Sequence, residues 1–91
     1  MNSSGTLQAR KRRALFRASH RGTKEMDLVL GPFAGVAVAD MTLAELERFE
    51  RFLEMPDPEL SDWVTNGVFT GAPEFEPLFL ALRRFHGLTA E

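Results

Sequence analysis

The residues best suited to chemistry lie in one stretch, His20-Arg21-Gly22-Thr23-Lys24-Glu25-Met26-Asp27. It is dense in charge, holds a glycine hinge, and joins a basic segment to an acidic remainder. Arg21 offers a planar fork of donors for a carboxylate or a backbone carbonyl. Gly22 lets another backbone approach closely. Glu25 offers an acceptor at a helix start. Read only as local structure, the stretch is a helix end followed by a helix start. That accounts for Gly22 and partly for Glu25. It does not require Arg21, which on that reading is a solvated side chain on a last helical turn.

Other catalytic constellations are lacking. His20 and His86 lie far apart, and no acid joins either at metal-ligand spacing. His20 and Glu25 could meet across the helix junction, but two groups do not make a metal site. There is no cysteine, hence no thiolate nucleophile or disulfide. No Ser, Thr or Lys stands in a nucleophile motif, and no glycine-rich phosphate loop follows a strand. Substrate pockets commonly measure ~300–1,000 Å³, and a small helical domain has little room for one. The chain reads as a non-enzyme that docks onto another protein.

Ninety-one residues make one domain. With 44% hydrophobic residues, including eight Phe and one Trp, apolar packing can supply the core without a staple. No run approaches the ~18–20 apolar residues of a membrane span, and no apolar core of a secretory signal follows the basic start.

The charges are segregated. Residues 1–24 carry seven Lys or Arg and no acid; residues 25–91 carry four Arg and all thirteen acids, so the two parts are +7 and −9. Three readings compete for the basic end: a nucleic-acid contact, an Arg-rich presequence, or a solvated first helix. Only Phe16 interrupts the basics, so a stacking platform for single strands is poorly supported. The −9 remainder would repel phosphates.

Five short helices must position these groups. Residues 1–6 read as a disordered start and 7–88 as a single helical domain. The first helix presents Leu7, Ala14, Leu15 and Ala18 on one stripe and should stop near Gly22 in left-handed backbone. The second starts at an N-cap Thr23 with Glu25 and Asp27 in its first turn. It carries Met26, Val29, Leu30, Phe33 and Ala37 inward, and Gly31-Pro32 predicts a kink or a split. Met41-Thr42-Leu43-Ala44-Glu45-Leu46 is a capping box with a hydrophobic staple. It opens a third helix with Leu46, Phe49, Phe52 and Leu53 inward, a Glu47–Arg51 pair outside, and Pro56 as its stop. Asp57 caps a fourth helix with Leu60, Trp63 and Val64 inward, closed by Asn66-Gly67. Gly71-Ala72-Pro73 is a linker. A fifth helix carries Phe75, Leu78, Phe79, Leu82 and Phe85 and stops at Gly87. Most aromatics are core, with Trp63 the one candidate for an exposed anchor. Short connections imply an all-α, compact five-helix bundle.

On these residues the chain resembles the FAD assembly factors of succinate dehydrogenase, the flavinators. Arg21-Gly22-Thr23-Lys24-Glu25 matches that family's Arg-Gly-x-x-Glu signature. Arg12-Arg13-Ala14-Leu15-Phe16-Arg17 precedes it, and Met26-Asp27-Leu28 follows. Pro32-Phe33, the capped Leu43–Leu53 helix and Asp57-Pro58-Glu59-Leu60-Ser61-Asp62-Trp63 stand at the family's spacing. The likeness covers about residues 10–67. It implies a chaperone-like role in covalent attachment of FAD to the flavoprotein subunit of succinate dehydrogenase, and often of fumarate reductase. It implies Arg21, Gly22 and Glu25 as partner-binding residues. FAD is then the partner's cofactor, none being stably bound here, with no catalytic or metal residues and neither nucleic acid nor membrane as partner. If Arg21-Gly22 belongs to the docking surface, residues 10–20 are a domain helix, which disfavours a presequence and favours a cytoplasmic protein of bacterial type. The alternative is a small protein- or nucleic-acid-binding regulatory module using the basic helix.

Overall fold

The computed structural model describes residues 3–88, with side chains from residue 6 onward. Among these residues there are five α-helices and no strand: α1 (Ser3–Ser19), α2 (Lys24–Ala37), α3 (Leu43–Phe52), α4 (Asp57–Asn66) and α5 (Glu76–Phe85). Short 3₁₀ turns at Val38–Asp40 and Pro73–Phe75 follow α2 and precede α5. The fold is the expected all-α bundle. The helix α1 already includes Ser3–Thr6, read from sequence as a disordered start; Met1 and Asn2 lie outside the described residues.

The starts and stops follow local chemistry. Thr23 is extended (φ −132°, ψ 154°), and its hydroxyl accepts the Met26 N–H at 3.2 Å. The capping box at α3 is complete: Thr42 N–H donates to Glu45 Oε1 at 2.9 Å, and Glu45 N–H donates to Thr42 Oγ1 at 3.2 Å. Gly67 ends α4 in left-handed backbone (φ 76°), with its N–H on the Trp63 carbonyl. Gly87 (φ 71°) follows α5, and Leu88 N–H reaches back to Arg83 O at 2.8 Å. Of the expected kink or split of α2, the split does not form: the helix runs unbroken through Pro32. Pro32 lies on its exposed face, where water can take the Leu28 carbonyl that loses its donor.

The core runs through all five helices. It contains Ala14, Ala18, Met26, Leu30, Phe33, Leu46, Phe49, Phe52, Leu60, Trp63, Phe79 and Leu82, among others, and among the described residues no polar or charged one is buried. Its aromatics form an edge-to-face chain from Phe33 to Phe49 and from Phe52 to Phe75, with Trp63 against Phe69. Trp63 is core, not an exposed anchor: it is 3% exposed, and Nε1 donates to Thr70 Oγ1 at 2.9 Å.

Four sequence assignments are corrected. Leu15 (38% exposed) and Phe16 (62%) face outward, because α1 turns the small Ala14 and Ala18 into the core; Phe85 (41%), the last residue of α5, is partly exposed with its ring edge-on to Phe33. Arg51 does not pair with Glu47. It reaches Glu74 at 2.6 Å, while Glu47 faces Arg10 at 3.7 Å, since partners from other elements come closer than the next helical turn. Arg10 also holds Glu50 at 2.5 Å, tying α1 to α3.

Candidate partner-docking site

The helix α1 ends at Ser19, whose hydroxyl donates to Leu15 O at 2.9 Å. His20 Nδ1 lies 2.9 Å from Phe16 O, so in this arrangement that nitrogen carries the proton. The imidazole stacks on the Phe16 ring, with centroids 3.9 Å apart and planes at 12°. His20 therefore packs back on its own helix and does not meet Glu25.

Between the helices the chain turns through residues 20–23. Gly22 does not take the left-handed conformation predicted for it; among the described residues only Gly67 and Gly87 have positive φ. Carboxylates from two other places hold the turn. The Arg21 N–H donates to Asp27 Oδ1, one turn into α2. The Gly22 N–H donates to Asp57 Oδ2 at 3.0 Å, from the start of α4. A Cβ on Gly22 would lie 3.1 Å from that same oxygen, so the missing side chain admits this close approach.

The Arg21 side chain crosses to the α3–α4 connection. Nε donates to Asp57 Oδ1 at 2.8 Å, and Nη2 lies 2.7 Å from the same oxygen. Nη1 donates to Leu53 O at 2.6 Å and Nη2 to Met55 O at 2.9 Å. These carbonyls follow α3, which ends at Phe52, before Pro56. Helix C-termini leave carbonyls unpaired and favour a cation. The guanidinium is thus largely enclosed, with 11% of the side chain exposed, not solvated on a last turn. Its fork meets a carboxylate and backbone carbonyls, the acceptors suited to it, but those of its own chain.

Asp57 was read from sequence as the N-cap of α4. The N-cap is Pro56, and Asp57 is the first helical residue, with its carboxylate turned to Arg21 and Gly22. The sequence held no local signal for this, because an acid followed by Pro58 at a helix start is the ordinary cap pattern.

Arg21 and Gly22 are thus brought together, with Asp57. Glu25 stands apart on the first turn of α2, exposed, with no hydrogen bond or ion pair among the described residues. An open groove of about 420 Å³ lies beside the turn, lined by Phe16, Arg17, His20, Arg21, Gly22 and Asp57. It is basic on the α1 side and carries the exposed Phe16 ring. No group of three His, Asp or Glu able to hold a metal occurs among the described residues. None of the described helices is long and apolar enough to cross a membrane.

The chain is 53% identical over 58 residues to an FAD assembly factor of Acetobacter pasteurianus, covering 64% of this chain and 53% of that one. It is 28% identical over 85 residues to mitochondrial succinate dehydrogenase assembly factor 2 of Dictyostelium discoideum, covering 93% and 60%. The same factor of Yarrowia lipolytica is 34% identical over 58 residues, covering 64% and 40%. The chain spans about half the length of these curated relatives. No solved structure matches it. The family model described as flavinator of succinate dehydrogenase matches residues 12–86, which takes in α2 to α5, the second half of α1 and the whole turn between them, and the chain belongs to that family.

Proposed function

We propose that this chain docks on the flavoprotein subunit of succinate dehydrogenase and promotes covalent attachment of FAD to it, with the flavoprotein of fumarate reductase a second candidate client. The observation that carries the reading is the clasped Arg21-Gly22 turn, which lines an open groove, with the unpaired, exposed carboxylate of Glu25 three residues beyond Gly22. A domain built this way supplies a fixed surface, not a reaction centre. The flavin belongs to the partner, the bond is made by the partner's own groups, and the chain itself is not an enzyme. Its contribution is selective binding: it favours the flavoprotein conformation in which the reacting groups are aligned. It shifts that equilibrium only by the difference in its affinity for the two conformations. The bacterial relative supports a cytoplasmic site of action.

The deciding experiment is flavin fluorescence of the flavoprotein subunit on a denaturing gel, after co-expression with this chain, with its Glu25→Ala variant, or with neither. Covalent flavin survives denaturation and bound flavin is lost. A signal raised by the intact chain and reduced by the variant is expected. Equal signals in all three lanes would refute the reading.

A further inference from the structure

The docking turn is held by two kinds of contact. Asp27 and Thr23 act locally, within the start of α2. They shape the turn but cannot fix it against the rest of the bundle. That second task falls to Asp57, 35 residues beyond Gly22. Its Oδ2 takes the Gly22 N–H, while its Oδ1 takes Nε and Nη2 of Arg21. Arg21 then ties the same turn to the Leu53 and Met55 carbonyls. With those donors committed inside the chain, Arg21 has little left to give a partner directly. The residues that face outward run from Gly22 through Thr23 and Lys24 to Glu25.

Asp57 contributes nothing to the apolar core, and its side chain is 20% exposed. Its removal empties no cavity. It frees one backbone N–H and one guanidinium edge, both at the docking turn.

We propose that Asp57 is a positioning residue for docking: through Arg21 and the Gly22 amide it sets the orientation in which Gly22 and Glu25 meet the partner. Arg21, on this view, acts through the clasp and not by touching the partner. The inference rests on the docking reading above and assigns that site a residue outside its signature stretch.

The test uses the full chain as wild type, Glu25→Ala, Asp57→Asn and Asp57→Glu. Covalent flavin in the co-expressed flavoprotein subunit is one readout. Amide hydrogen exchange at Gly22, against core amides such as Leu46 and Leu60, is the second. Asp57→Asn should speed exchange at Gly22 by about tenfold, as expected for losing a hydrogen bond to a charged group. The core amides should keep their protection. Covalent flavin should fall to near the Glu25→Ala level, and cooler growth should not restore it, whereas a merely unstable variant would recover. Asp57→Glu, which retains the charge, should recover part of both signals. If Asp57→Asn exchanges faster at Gly22 yet supports wild-type flavinylation while Glu25→Ala does not, this proposal fails and the docking reading stands. If the wild-type chain raises no covalent flavin, both fail. Should Asp57→Asn not fold, Asp57→Glu decides: faster Gly22 exchange with undiminished flavin overturns the proposal.

Discussion

Gly31 of α2 lies directly against Ser19 at the end of α1. A Cβ at Gly31 would come 3.2 Å from Ser19 Oγ and 3.4 Å from Ser19 Cα. This approach seats α2 on α1 beside the turn at residues 20–23, and it has no space for a larger side chain.

Gly31→Leu should therefore destabilise the domain by about 1–3 kcal/mol, the range for overpacking a filled interface. Gly35, one turn on in the same helix, has nothing within 4 Å of its Cβ position. Gly35→Ala should stabilise by about 0.5–1 kcal/mol through helix propensity alone. Urea midpoints for the two variants should move in opposite directions. A common direction would mean that the α1–α2 approach is not tight.

Gly71 reads in the sequence as a linker residue, yet it lies over the edge of the indole. A Cβ there would fall 2.5 Å from Trp63 Cη2 and 2.7 Å from Cζ2. The ring cannot simply swing away, because Phe69 packs on it at 4.8 Å and Phe52 at 6.3 Å. Gly71→Ala should cost about 1–3 kcal/mol. It should also shift the emission of the single tryptophan, so a melt followed by fluorescence reports both effects. Unchanged emission and midpoint would place Gly71 away from the ring.

What the sequence revealed divides along physical lines. Thr23, Thr42 with Glu45, and Asn66-Gly67 were legible because caps act within four residues of themselves. The inward faces of α3 and α4 were legible because Leu46, Phe49, Phe52, Leu60 and Trp63 repeat at helical spacing. The partners of charged side chains were not. Arg21 and Asp57 are 36 residues apart, and Arg51 and Glu74 are 23 apart. A rule based on nearest helical turns gives Arg51 the wrong partner and gives Asp57 the wrong job. Phe16 misled for a related reason. Its residue type predicts burial, but the small residues Ala14 and Ala18 already fill the contact that α1 makes.

The Arg51–Glu74 pair gives the domain a pH dependence of defined sign. The hydrogen bond from Arg51, followed by the attraction of its charge, lowers the pKa of Glu74 below its ordinary value. A carboxylate whose pKa is depressed on folding stabilises the fold above its unfolded value, about 4.3 for Glu. That contribution is lost as the pH falls through the folded value. Glu74→Gln should therefore lower the melting temperature at neutral pH and converge on wild type in acid. The effect is small and shrinks in salt, because the two side chains are 50% and 41% exposed. A constant difference at all pH values would show that the pair's charge does not contribute.

The exposed aromatic pair at the groove separates docking from stability. Phe16 is 62% exposed and stacks on His20 at the wall that α1 contributes. Its removal opens no core cavity, so Phe16→Ser should change folding stability by about 0.5 kcal/mol or less, as surface substitutions usually do. An exposed ring beside a docking turn is also the kind of anchor that becomes buried when a partner seats, and interface hot spots are rich in aromatics. Phe16→Ser should then weaken binding to the flavoprotein subunit by tenfold or more, a loss of about 1.4 kcal/mol. Titration calorimetry on the purified pair, with melting curves for the free variants, reads the two quantities separately. Unchanged affinity would put Phe16 outside the contact and shift the docking surface towards the α2 side of the turn, around Glu25. A loss of stability with affinity intact would mean instead that the stack on His20 anchors the end of α1.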